Sequence, residues 1–127
     1  MNDDERREAG MSVRRGVLGD AHVDRAVAAT TEVTADFQDL ITRYAWGEIW
    51  SRPGLARRDR SIAVLSSLIA LGAWDEVPMH LRAARRNGLS AEEIIEVILQ
   101  SAIYAGVPAA NHAFSIAKDV LAEDLPR

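Results

Sequence analysis

The stretch WDEVPMHLRAARRNGLSAEEI, residues 74–94, decides the fold class. Val77, Leu81, Ala84 and Gly88 recur at helical spacing. Pro78 falls in the first turn, where a missing N–H is tolerated. Gly88 suits a left-handed helix stop. Ser90, with Glu93 three residues later, forms a capping box that opens another helix. The segment reads as helix, stop, helix, with the first helix over about 75–87.

The same pattern continues outward in both directions. A helix is expected over about 4–18, its charged first residues fraying and Gly19 stopping it. Asp20 is placed to cap a short helix over AHVDRAVAA. Thr34 is placed to cap the next, which carries Phe37, Leu40, Ile41 and Tyr44 at helical spacing. Pro53 and Gly54 make SRPGL a turn. A fourth helix spans about 57–71, and the helix opened by Ser90 runs to about 105. Gly106 ends it, and Pro108 opens a seventh to about 121. Nothing reads as a strand. The expectation is an all-α, compact, single-domain bundle of about six to seven helices over residues 1–127.

Composition bounds the function. A chain of 127 residues buries roughly two thirds of its unfolded surface, enough for a core without staples. The net charge of -4 offers no basic excess for nucleic acid. There is no cysteine, which removes disulfides, thiolate metal sites and thiol redox catalysis. No apolar run approaches the ~20 residues of a membrane span. The opening MNDDERREAG lacks the apolar core of a secretory signal, so a cytoplasmic protein is expected.

Three local anomalies stand out. Glu48 falls near the centre of the Phe37, Leu40, Ile41, Tyr44 stripe on a wheel of about 100° per residue. Either it faces the interior or a cleft, or the helix ends early and Glu48 reaches solvent. SIAVLSSLIALG is apolar nearly all round and reads as a central, buried helix. Its first turn carries Arg57, Arg58 and Arg60, with Asp59 as the local offset. Cations there oppose the helix dipole. They form either an anion site or ion pairs with acids such as Glu48 and Glu76. Glu76 and His80 are four residues apart and share a face. His80 lies about 60° from the core stripe, a boundary position suited to a cleft wall. By spacing alone, a structural histidine is the commoner case. With two ligands in view and no third, no metal is expected.

Of the remaining side chains, His22 reads as surface, His112 as packing or interface, and Tyr104 as core with a hydroxyl able to help bind a substrate. Trp46, Ile49 and Trp50 lie broadly opposite the Phe37 stripe, which implies burial or cover by another subunit.

The pieces VLGDAHVDRA, FQDLITRYAWGEIWSRPGL, RRDRS, HLRAARRNGLSAEEI and AIYAGVPAANHAF resemble the 4-carboxymuconolactone decarboxylase family, within the wider alkylhydroperoxidase-like group. The resemblance runs from about Glu8 to Leu121. AWGEIWSRPGL followed by RRDRS is its most specific part. The redox branch of that group uses paired cysteines before a histidine matching His80. Here Ala73 and Glu76 stand at those positions, so peroxidatic chemistry does not carry over.

The resemblance implies a carboxy-lyase acting on 4-carboxymuconolactone in protocatechuate degradation, the beta-ketoadipate pathway of aromatic catabolism, with 3-oxoadipate enol-lactone and carbon dioxide as products. It implies homo-oligomers, trimers or hexamers. The lactone carries its own electron sink, so no cofactor is expected. In this reading Arg58 and Arg60 bind the dianion, with Tyr104 assisting. His80 supplies a proton to carbon, since its unperturbed pKa is about 6.5. Glu76 orients His80, and Glu48 holds an arginine or repels the scissile carboxylate. Two rivals stand beside it: another cofactor-free lactone isomerase or decarboxylase on the same scaffold, and a non-enzymatic oligomeric helical module.

Overall fold

A computed structural model describes residues 1–123, so the last four positions of the expected 1–127 domain lie outside the described residues. Seven α-helices are present among them, with no strand. The all-α expectation holds. The chain divides into two compact units, Met1–Arg57 and Arg58–Arg127.

The first unit holds α1 (Asp3–Leu18), α2 (Asp20–Ala29) and α3 (Ala35–Leu40), which continues into a π-helical segment, Ile41–Trp50. The N-terminus does not fray as expected. The Asn2 side chain caps α1 by accepting from the Glu5 N–H at 2.8 Å, and Asp3, Asp4 and Glu5 complement the helix dipole. Two expected caps are not made. Asp20 is the first residue of α2 rather than its cap, and pairs instead with Arg15 at 3.2 Å. The Thr34 hydroxyl accepts from the Thr31 N–H at 3.1 Å and leaves the α3 amides alone.

The π segment corrects the wheel drawn for this region. Its hydrogen bonds close five residues back rather than four, so side chains five apart share a face. Thr42 and Gly47 are such a pair, and both are buried, together with Trp46. Phe37, Leu40 and Tyr44 are exposed. The buried face meets α1 backbone to backbone. A Cβ on Gly47 would lie 2.3 Å from the Arg6 carbonyl oxygen, and one on Gly10 would lie 1.9 Å from that of Thr42. Only glycine at both positions permits this approach. Trp46 and Trp50 pack with ring centroids 5.1 Å apart and planes tilted by 37°.

The second unit holds α4 (Arg57–Leu71), a 3-10 turn (Trp74–Glu76), α5 (Val77–Arg86), α6 (Ala91–Tyr104) and α7 (Val107–Ala122). Its core is Leu65 and Ile69 of α4, Val77, Leu81 and Ala84 of α5, Ile94 and Ile98 of α6, and Ala110, Ala113 and Ala117 of α7. Of the expected α5 stripe, Val77, Leu81 and Ala84 are buried, while Gly88 is exposed beyond the end of the helix. The Ser90–Glu93 capping box is formed in both directions, at 3.0 Å each. Gly88 takes φ 102° and Gly106 takes φ 100°, the left-handed region that favours glycine. Pro78 delays α5, so the expected start near Asp75 is a 3-10 turn instead.

The reading of α4 as buried all round is corrected. Ser61, Leu65 and Ile69 form one buried stripe, while Ala63, Ser67, Ala70 and Leu71 are exposed. Most of the outer positions are alanine or serine, which face water at little cost. Among the described residues, no helix is long and apolar enough to cross a membrane.

Candidate active site

Arg58 and Arg60 stand in the first turn of α4, where they add to a positive helix end. Arg58 Nη2 donates to Glu93 Oε2, the carboxylate whose other oxygen completes the α6 cap. Glu93 is held below the usual carboxylate range by the Ser90 N–H first and by Arg58 second. Arg60 is half-buried, and its Nε is shielded from water.

Glu76 closes the 3-10 turn and serves as the N-cap residue of α5, without a capping hydrogen bond from its side chain. It is exposed, four residues before His80. His80 is half-buried, and its Nδ1 is shielded from water. Asn87 Nδ2 donates to the Ser61 hydroxyl at 2.9 Å, which sets the end of α5 against the start of α4. Arg60 and His80 are both half-buried residues of the second unit.

Tyr104 is placed elsewhere. It is 85% exposed, not core. It lines a cleft of about 340 Å³ with Ser66, Ser67, Ala70, Gln100 and Ser101. A neighbouring cleft of about 590 Å³ shares Ser66 and Gln100 and reaches Glu93 and Glu96. Together they make a groove between α4 and α6 that includes neither His80 nor the arginines. Ser101 signals that groove in the sequence, as a polar side chain on the Ile94, Ile98 stripe.

Glu48 belongs to the first unit. It is neither buried in the core nor frayed. Arg6 Nε donates to its Oε2 at 3.1 Å, so the arginine it holds comes from α1 and not from the RRDRS turn. Arg6 lies 5.6 Å over the Tyr44 ring and Arg43 lies 5.2 Å from it. Sequence spacing cannot show this partner, since 42 residues separate the pair. Of the other histidines, His112 is exposed and stacks on Trp74 at 4.1 Å, while His22 is half-buried rather than on the surface as expected. Among the described residues, no group of three or more His, Cys, Asp or Glu side chains is placed to hold a metal ion.

The profile of the carboxymuconolactone decarboxylase family matches residues 35–119, from α3 into α7. The chain belongs to the carboxymuconolactone decarboxylase family. It is 48% identical over 120 residues to a 4-carboxymuconolactone decarboxylase of Acinetobacter baylyi, covering 94% of this chain and 90% of that protein. It is 39% identical over 114 residues to a nitrosuccinic acid decarboxylase of Metarhizium robertsii, covering 90% and 80%. A 48-residue match at 50% identity covers all of a 4-carboxymuconolactone decarboxylase sequence of Pseudomonas putida and 38% of this chain. For a carboxymuconolactone decarboxylase family member, residues 58–60 and His80 lie inside the matched region, as does Glu48.

Proposed function

We propose that this protein is a cofactor-free carboxy-lyase that converts 4-carboxymuconolactone to 3-oxoadipate enol-lactone and carbon dioxide in aromatic catabolism. The observation that carries the reading is the 48% identity across 94% of the chain to a 4-carboxymuconolactone decarboxylase.

The chemistry fits the residues. The scissile carboxylate sits on the γ-carbon of an α,β-unsaturated lactone. When the carbon–carbon bond breaks, its electron pair moves through the double bond to the carbonyl oxygen. Carbon dioxide leaves, and a dienolate remains. Protonation at the α-carbon restores the carbonyl and gives the enol-lactone. Arg58 and Arg60 bind the two carboxylates at a helix start. His80 delivers the proton, and Glu76 sets its tautomer. Glu48 acts as the carboxylate that anchors Arg6.

The second relative supports the same class of reaction. Nitrosuccinic acid is butanedioic acid with a nitro group on one carbon. The lactone likewise places a carboxylate and a carboxymethyl arm on one carbon. Each compound thus offers a succinate framework with an electron-accepting group beside the carboxylate.

A homo-oligomer, trimer or hexamer, is part of the proposal, and so is a cytoplasmic location. Ile95, Leu99 and Ile103 form an exposed apolar row at four-residue spacing along α6, and Leu71, Tyr104 and Val107 are exposed as well. A second copy would remove that surface from water.

The test is turnover of 4-carboxymuconolactone, followed by loss of its ultraviolet absorbance and release of one carbon dioxide per lactone. Nitrosuccinate is the competing substrate. Faster turnover of nitrosuccinate would reassign the substrate within the class, and turnover of neither would overturn the proposal.

A further inference from the structure

We propose that the cleft beside Arg14 in the first unit binds a small monocarboxylate, at a site separate from that of the lactone. Arg14 sits in the buried stripe of α1 with Gly10 and Val17, and only 6% of it is exposed. Its guanidinium meets neutral groups. Nη2 donates to Gln38 Oε1 at 3.0 Å and Nη1 to the Thr42 hydroxyl at 3.4 Å. Nε is buried and has no acceptor among the described residues. Burial holds the pKa of Arg14 below the usual arginine value. A buried cation without a counter-charge is costly, and folded proteins ordinarily supply a partner.

A cleft of about 170 Å³ opens at this guanidinium, walled by Met11, Val27, Thr30, Gln38 and Thr42, with Arg7 and Asp39 also lining it. The charges around it define the ligand. Asp39 Oδ1 accepts from Arg7 Nε and Oδ2 from Arg43 Nε, both at 2.7 Å. Arg7 Nη1 donates to Asp4 at 2.8 Å. Those charges answer one another, and Arg14 is left with neutral partners. One positive charge calls for one negative charge. A dianion would bring its second charge toward the ionised Asp39, which separates this site from one for the lactone. A guanidinium takes the two oxygens of a carboxylate side by side. Met11 and Val27 offer an apolar wall to a short alkyl tail. The volume equals about six waters' share of liquid, which suits a propionate-sized anion.

Thermal unfolding of the full chain at pH 7, in sodium propionate against sodium chloride at equal ionic strength, tests the site. At ten times its Kd, propionate should raise Tm by about 5 °C for a chain of this size. Phosphate should give no such rise. Arg14→Met should raise Tm in chloride, because it removes an uncompensated buried charge. It should also abolish the propionate shift. Val27→Trp fills the cleft from an exposed position. It should leave Tm in chloride unchanged and abolish the shift, which keeps the test open if Arg14→Met fails to fold. Equal Tm values for the wild type in both salts would overturn the site. A propionate shift that survives in both variants would mark a general salt effect and overturn it equally.

Discussion

Arg6 Nε donates to Glu48 Oε2 across 3.1 Å, and it does so directly above the place where α1 and the π segment touch through Gly47. The ion pair is the visible link, but the backbone contact is the tighter constraint. Gly47→Ala would put a Cβ 2.3 Å from the Arg6 carbonyl oxygen, where no flexible side chain can yield. Overpacking of this kind costs about 1–3 kcal/mol. Arg6→Met removes a partly exposed pair, and such pairs contribute little. Urea unfolding should therefore show a clear fall in midpoint for Gly47→Ala and almost none for Arg6→Met. The reverse order would make the ion pair the tie.

Acid should loosen the first unit. Asp39 is held at about 2, from an ordinary value of 3.8, by Arg7 first and Arg43 second. A depressed carboxylate stabilises the fold above its unfolded pKa, and that stability fades as pH falls through the folded value. The window is about pH 4 down to 2. Tm measured across it should drop less steeply for Asp39→Asn than for the wild type. Because the pair is exposed, added salt should shrink the difference.

Arg60→Leu should raise KM about tenfold or more, the range of a lost charge-assisted hydrogen bond, while leaving the helix content unchanged. Tyr104→Phe should raise it far less, since Tyr104 lies apart from the arginines. A folded Arg60→Leu protein with unaltered kinetics would make Arg60 a structural residue.

His80→Asn should lower turnover by roughly 10²–10⁴-fold, the usual contribution of a general acid. Asparagine keeps a polar side chain of similar reach. In deuterated solvent the wild type should label one face of the α-carbon, and the variant should label both. Near wild-type turnover with the same facial preference would rule His80 out as the donor and turn attention to Glu76 or an ordered water.

Local grammar was the legible part of this chain. The capping box at Ser90 and Glu93, the glycine stops and the α5 stripe are set by residues within one or two turns, so sequence spacing reveals them. The Asn2 cap was equally local but hidden by the charged residues after it. What spacing could not show depends on distant partners or on a changed helical period. The pairing of Glu48 with Arg6 spans two helices. The burial of Thr42 and Gly47 follows a five-residue repeat, which a wheel drawn at about 100° per residue misplaces. Tyr104 looked like core because its neighbours are apolar, yet it ends α6 and points outward. Arg14 was readable, as a charge on the Gly10–Val17 stripe, but only once that stripe was known to be buried.

Glu93 serves two helices with one carboxylate, closing the cap of α6 through one oxygen and holding Arg58 through the other. If Arg58 binds substrate as proposed, an arriving carboxylate displaces an incumbent. Ligand uptake at this end of α4 becomes a swap, one carboxylate for another, with the guanidinium already aimed. The cap does not depend on the outcome, since Glu93 Oε1 stays on the Ser90 N–H. In that proposed role, Arg58 is released and recaptured without unwinding the helix behind it.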